Sequence, residues 1–168
     1  MGKILNLPLC FFAILIASVV FQACGDVGCM DNRSSIPYIT FYSQQSPTQS
    51  VVIDSLSVYG IGQRDDSLLF DTITAKSLLL PLRNDKDTTR YVLRYDQKNI
   101  HPAYKRDTLT LVYHSYIYFA SAECGAMFNY IIDSLGYTTY QIVSAELLTK
   151  DVRNQSVENI KLYFRTNE

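Results

Sequence analysis

The stretch Asp107-Thr108-Leu109-Thr110-Leu111-Val112-Tyr113 alternates its side chains residue by residue. In an extended chain neighbouring side chains point to opposite faces. Leu109, Leu111 and Tyr113 therefore share one face, and Thr108, Thr110 and Val112 the other. The alternation can be followed to Phe119. The same period of two recurs on both sides. Ile39 and Phe41 oppose Tyr38, Thr40 and Tyr42, while Leu56 and Val58 oppose Ser55, Ser57 and Tyr59 before Gly60-Ile61-Gly62. Leu68–Asp71 and Ser77–Leu82 read as short strands between turn residues, and Arg90–Tyr95 alternates cleanly. Phe128, Tyr130 and Ile132 form a further set. Tyr140–Thr149 and Asn159–Arg165 close the chain, the last with Ile160, Leu162 and Phe164 inward. Val143–Leu148 reads as strand, with one or two helical turns as the alternative.

About nine strands separated by turn residues are the signature of a sandwich or barrel. One wet and one dry face per strand implies antiparallel sheets around a shared core. The expected fold is all-β: a single antiparallel, immunoglobulin-like β-sandwich over residues 36–168. The 168 residues carry 15 basic and 16 acidic side chains, 48% hydrophobic residues, 13 Tyr, 8 Phe and no Trp. That balance excludes disordered and low-complexity classes and offers no basic block for nucleic acid.

The first two dozen residues differ from the rest. Leu9–Phe21 is an uncharged apolar run of about 13 residues, the length of a signal-peptide core and short of the roughly 20 that span a bilayer. It ends at Phe21-Gln22-Ala23-Cys24. A small residue before a cysteine at that place resembles the lipobox of bacterial lipoproteins. In those proteins the thiol takes a diacylglycerol, the chain is cut before it, and the new amine is acylated. The resemblance implies a cleaved signal helix at 1–23, a lipidated tether at 24–35 and Cys24 as the attachment site. An uncut anchor, or an ordinary secretory signal cut near Ala23, are the alternatives.

The cysteine count agrees with lipidation. Cys10 leaves with the signal and Cys24 takes lipid, so Cys29 and Cys124 remain as an expected disulfide in an oxidising compartment. Such a bridge closes a loop of about 95 residues, worth roughly 4–5 kcal/mol in the chain-entropy treatment. Two separate buried thiols are the alternative.

Several segments then occur together. They are Cys29, Pro37 and Phe41-Tyr42; Asp54-Ser55-Leu56-Ser57-Val58-Tyr59-Gly60-Ile61-Gly62; and Leu80-Pro81-Leu82. Asp107–Tyr113, Cys124-Gly125 and Asn159-Ile160-Lys161-Leu162-Tyr163-Phe164 follow. In this order they resemble an uncharacterised family of β-rich lipoproteins from gut-dwelling anaerobic Gram-negative bacteria, a domain of unknown function. The resemblance runs from about Cys24 to Arg165. It implies a β-rich envelope lipoprotein and carries no known activity, ligand or partner.

Residues with chemistry are few. The two histidines, His101 and His114, make no His-x-x-x-His or Glu-x-x-His spacing, and there is no phosphate loop or Gly-x-Ser-x-Gly. No catalytic residue, metal or cofactor is expected. A hydrolase would need a cleft gathering His114 with a carboxylate. Tyr113, Tyr116, Tyr118 and Tyr130 could line a surface for sugars or an apolar ligand, although tyrosine also suits half-buried strands. Asp followed by Ser or Thr and then Thr or an aliphatic recurs at Ser55, Ser67, Thr72, Thr88, Thr108 and Ser134, where about one case is expected by chance. The triplet resembles the periplasmic O-glycosylation acceptor of the same bacteria. Its structural alternative is a turn that starts a strand. Asn154-Gln155-Ser156 fits an N-glycosylation acceptor, which means little in a bacterium.

Two functional classes follow. The first is an envelope lipoprotein anchored in membrane lipid, meeting a protein or polymer partner through its sheet faces. The second is a barrel carrying a lipid or other apolar ligand, or a glycan-binding surface protein. Gly25-Asp26-Val27-Gly28 lacks an acidic run, which points to the periplasmic face of the outer membrane.

Overall fold

The computed structural model describes residues 35–62, 68–121 and 125–165. The signal segment, Cys24, Cys29, Ser67 and Cys124 lie outside the described residues. Those described are all-β, with ten strands and one 3-10 turn at Pro102–Tyr104. The strands are β1 (Tyr38–Ser43), β2 (Ile53–Gly60), β3 (Leu68–Ala75), β4 (Ser77–Leu79) and β5 (Thr88–Tyr95). They continue as β6 (Arg106–Ser121), β7 (Gly125–Tyr137), β8 (Ile142–Leu147), β9 (Asp151–Val152) and β10 (Glu158–Phe164). A four-stranded sheet runs β4-β1-β10-β8, and a six-stranded sheet runs β3-β2-β5-β6-β7-β9. One of the two curls as a half-barrel.

The strand beyond the expected nine is β9, two residues long, which pairs with β7 through Tyr130–Val152 and Ile131–Asp151. Two residues are too few to show a period. A second difference is direction: β1 and β10 pair in parallel, with Ile39 opposite Ile160 and Phe41 opposite Leu162. Alternation fixes which side chains face the core but carries no direction, because parallel and antiparallel strands share the same period.

Both sheets empty their apolar faces into one cluster. Ile39, Phe41, Ile160, Leu162 and Phe164 come from the four-stranded sheet; Leu56, Val58, Leu93, Leu109, Leu111 and Ile132 from the six-stranded one. Each fully buried side chain of this kind contributes about 1.5–3 kcal/mol of transfer free energy. Phe164 ties the sheets together, with its ring edge-on to Phe41 at 5.1 Å and to Tyr95 at 6.2 Å.

Three polar devices shape the molecule. The carboxylate of Asp107, fully buried, accepts hydrogen bonds from Tyr95 Oη (3.0 Å), Thr138 Oγ1 (2.7 Å) and the backbone N–H groups of Tyr140 (2.9 Å), Gln141 (2.8 Å) and Ile142 (3.0 Å). A buried charge is tolerable only when its oxygens are satisfied. Here five neutral donors do so, and they fix the passage from β7 in one sheet to β8 in the other. Burial and the neighbouring Asp107 push the Tyr95 hydroxyl well above its usual pKa.

Second, the segment after β4 crosses beside the core, and tyrosines of the six-stranded sheet satisfy its backbone. Tyr113 Oη accepts from Arg83 N (2.9 Å), donates to Arg83 O (3.0 Å) and meets Thr89 Oγ1 at 2.7 Å. Tyr91 donates to Pro81 O, and Tyr130 donates to Leu82 O at 3.3 Å. Third, β2 and β3 pair irregularly, with Ser55 and Thr72 at φ 53° and 49°, a left-handed conformation uncommon outside glycine. Each follows an aspartate that accepts its hydroxyl, Ser55 to Asp54 (3.2 Å) and Thr72 to Asp71 (2.9 Å).

Candidate functional site

The longest feature is the β6–β7 hairpin, with strands of 16 and 13 residues. Its residues pair directly as Ser115–Tyr130, Tyr116–Asn129, Ile117–Phe128, Tyr118–Met127 and Phe119–Ala126. Directly paired residues share a face. One face therefore carries Ile117, Phe119, Ala126 and Phe128, and the reverse carries Tyr116, Tyr118, Met127 and Asn129.

The reverse face holds a continuous polar network. Ser35, buried, donates from Oγ to Asn129 Oδ1 at 2.6 Å, and Asn129 Nδ2 donates to Tyr116 Oη at 3.4 Å. Tyr116 Oη donates to Asp151 Oδ1 (2.8 Å), whose second oxygen accepts from Arg153 Nε (2.8 Å). The hydrogen bond from Arg153 outweighs partial burial and, with that from Tyr116, holds the Asp151 carboxyl below its usual pKa. Beside the network a depression of about 280 Å³ is lined by Tyr118, Met127, Asn129, Arg153 and Gln155. An adjoining one of about 460 Å³ is lined by Ile36, Tyr38, Leu79, Arg153 and Ser156. On the other face, Leu82, Arg83, Asp85, Ala126, Phe128 and Tyr130 border an open hollow of about 490 Å³.

The tyrosines picked from the sequence do not form one surface. Tyr113 and Tyr130 are buried, with ring centroids 5.5 Å apart and edge to face, and they support the segment after β4. Tyr116 and Tyr118 lie on the reverse of the hairpin and border the depression of about 280 Å³ there. The expected set Phe128, Tyr130, Ile132 also divides, since Tyr130 and Ile132 are buried and Phe128 is exposed. The cause is length: the hairpin outruns the core that covers its base.

His114 meets a carboxylate, with Nδ1 3.0 Å from Asp133 Oδ2, but both side chains lie exposed on a strand face and border none of the hollows above. His101 caps the 3-10 turn, its Nδ1 accepting from Ala103 N at 3.3 Å. Ser57 is fully buried. It donates to Asp96 Oδ2 (2.6 Å) and accepts from Thr72 N (3.0 Å), a structural hydroxyl. Among the described residues no group of three or more His, Cys, Asp or Glu is placed to hold a metal ion.

Of the Asp-Ser/Thr triplets, Thr72, Thr88 and Ser134 are exposed, and Ser55 and Thr108 are half-buried. Asp107 of the Thr108 triplet is the buried hub of the β7–β8 passage, so that triplet has a structural cause.

Two groups that sequence reasoning missed are Asp107 and Ser35. Ser35 acts through Asn129, 94 positions away, and no local pattern marks it; Asp107 is visible only as the start of a triplet, because most of its donors lie 31 to 35 positions further on.

The sequence model of a family of unknown function, DUF6452, matches residues 55–164, and the chain belongs to that family. No curated protein matches the chain. No solved structure matches it either.

Proposed function

We propose that this member of a family of unknown function is an envelope lipoprotein. Its residues 1–23 are removed, and Cys24 is acylated and held in the outer membrane at its periplasmic face. Its β body, read as two sandwiched layers, serves as an interaction module. The observation that carries this reading is Ala23-Cys24 at the end of the apolar run Leu9–Phe21. The place of Ser35 adds support. Ser35 lies eleven positions after Cys24, a reach of at most about 40 Å. The body therefore stays near the lipid, and three acyl chains would make the attachment permanent.

The disulfide Cys29–Cys124 belongs to the same proposal. Ser35 touches Asn129. Cys29 lies six positions before the first and Cys124 five before the second, so each sulfur is within a reach of at most about 20 Å of that contact along its own chain and the two can meet. O-glycosylation, where it occurs, falls on Thr72, Thr88 and Ser134 ahead of the half-buried Ser55 and Thr108.

The side chains that fill the space between the sheets favour a packed interaction module over a carrier with an internal ligand. Intact-mass and non-reducing peptide analysis of protein purified from membranes tests the proposal. A diacylglyceryl, N-acylated Cys24 and a linked Cys29–Cys124 peptide are expected. A Cys24 that is still internal, or free thiols at 29 and 124, overturns it.

A further inference from the structure

The loop between β9 and β10, residues 153–157, stands between two hollows and borders both. On one side Tyr118, Met127 and Asn129 of the hairpin enclose the space of about 280 Å³ with Arg153 and Gln155. On the other, Ile36, Tyr38 and Leu79 enclose about 460 Å³ with the same Arg153 and Gln155. Taken together the hollows fall within the roughly 300–1,000 Å³ of small-molecule sites. The loop is bent tightly by its own backbone, Gln155 N donating to Arg153 O (2.7 Å) and Val157 N to Gln155 O (2.9 Å).

The polar groups at this place are held from behind. Arg153 gives Nε (2.8 Å) and Nη2 (2.5 Å) to one oxygen of Asp151, and the hydrogen-bonded chain continues through Tyr116 and Asn129 to Ser35. Apolar side chains would brace the hairpin with less desolvation cost. Five linked polar residues that end in a guanidinium 57% exposed, between two hollows, are the support a polar ligand needs.

We propose that the two hollows bind a short segment of an uncharged polysaccharide, laid across the β9–β10 loop. The inference rests on the interaction-module reading, to which it gives a partner, and is independent of the anchor at Cys24. Charge excludes an anion: Asp151 neutralises Arg153, and no other charged side chain among the described residues borders these two hollows. Sugar hydroxyls both donate and accept, and the guanidinium, the Gln155 amide and the tyrosine hydroxyls offer partners of both kinds. The C–H faces of sugar rings need apolar surface, and Tyr118 (49% exposed) and Leu79 (51%) provide it, one in each hollow. A lipid chain would leave Arg153 and Gln155 without partners. An extended peptide binds by adding a strand to a sheet edge, and the edge strands here, β9 and β4, are two and three residues long.

The full chain, purified in a zwitterionic detergent free of sugar, is applied to an array of neutral glucan, mannan, galactan and N-acetylglucosamine oligomers. The strongest binder is then titrated calorimetrically. Saturable binding is expected, with Kd unchanged between about 0.05 and 0.5 M salt. Arg153→Ala should weaken it about tenfold or more, as loss of hydrogen bonds from a charged group implies. Tyr118→Ala should weaken it about fivefold. Its ring is half exposed, so lost binding there is not lost fold. Tyr104→Ala, as exposed as Tyr118 and bordering neither hollow, should bind as the parent does.

An array on which no saccharide is bound overturns the proposal, as does binding that either Arg153→Ala or Tyr118→Ala leaves intact. Affinity that drops with salt marks an anion on Arg153 and overturns it too. Arg153-dependent capture by a peptide array in place of saccharides overturns it and leaves the module with a different partner. The intact mass of the same sample reports on Cys24 separately. Acylated protein that binds no saccharide overturns this inference alone, unacylated protein that binds one overturns the anchor alone, and unacylated protein that binds none overturns both.

Discussion

The two ends of the β6–β7 pair carry the same kind of side chain in the same alternation and meet opposite fates. At the base, Leu109, Leu111 and Tyr113 lie in the core beneath the four-stranded sheet, and Asp107 is locked by five donors. At the outer end, Ile117 and Phe119 stand in the open. A sequence period of two says which residues share a face. Whether that face is covered depends on how far the opposing sheet extends, and that is set by partners remote in sequence.

This contrast can be broken at its strongest point first. Asp107→Ala leaves three backbone N–H groups, that of Ile142 buried, and two hydroxyls without their acceptor. It should cost about 3–5 kcal/mol, read as a lowered midpoint in urea unfolding. A loss below about 1 kcal/mol would mean that the β7–β8 passage is held by packing alone. Next is Tyr113→Phe, which strips Arg83 and Thr89 of their shared partner. About 1–3 kcal/mol is expected, measured the same way, with the far-UV spectrum of the folded protein unchanged.

The third prediction concerns acid. Burial opposes ionisation of Asp96, but the Ser57 hydroxyl and the Arg94 guanidinium prevail and hold its carboxyl below the usual pKa. A depressed carboxylate adds stability that is present above its unfolded pKa, near 4, and is lost as pH falls through the lower folded one. Asp96→Asn should therefore flatten the fall of Tm below about pH 4, with a change of about a few °C at pH 7. At the alkaline end, burial raises Tyr91 and Tyr130. Their contribution is intact below about pH 10 and declines above it. The smallest effect belongs to the hairpin end. Phe119→Ser should shift unfolding by no more than about 0.5 kcal/mol, since the exposed ring touches little to lose. A large destabilisation there would show that the end is part of the folding core.

Most of the framework was readable because the inward positions of β1, β2, β5 and β10, and of β6 as far as Tyr113, obey alternation and are buried as expected. The parallel partnership of β1 with β10 was not readable, since it joins segments about 120 residues apart and leaves no local mark. Phe128 was misplaced for a related reason: its face was correct and its cover was absent. The tyrosines show the limit for function. Tyr113 and Tyr130 share the core face and serve as internal braces, while Tyr116 and Tyr118 lie on the reverse face and wall a depression, a division that alternation carries and residue type alone does not.

The parallel seam has a consequence for biogenesis. β10 occupies an inner position between β1 and β8, so the smaller sheet has no centre until residues 158–164 arrive. A growing chain can zip up the β5–β6–β7 meander early, because those contacts are local, but leaves β1 with β4 as its partner until β10 is present. Closure of the smaller sheet is therefore late, timed by β10.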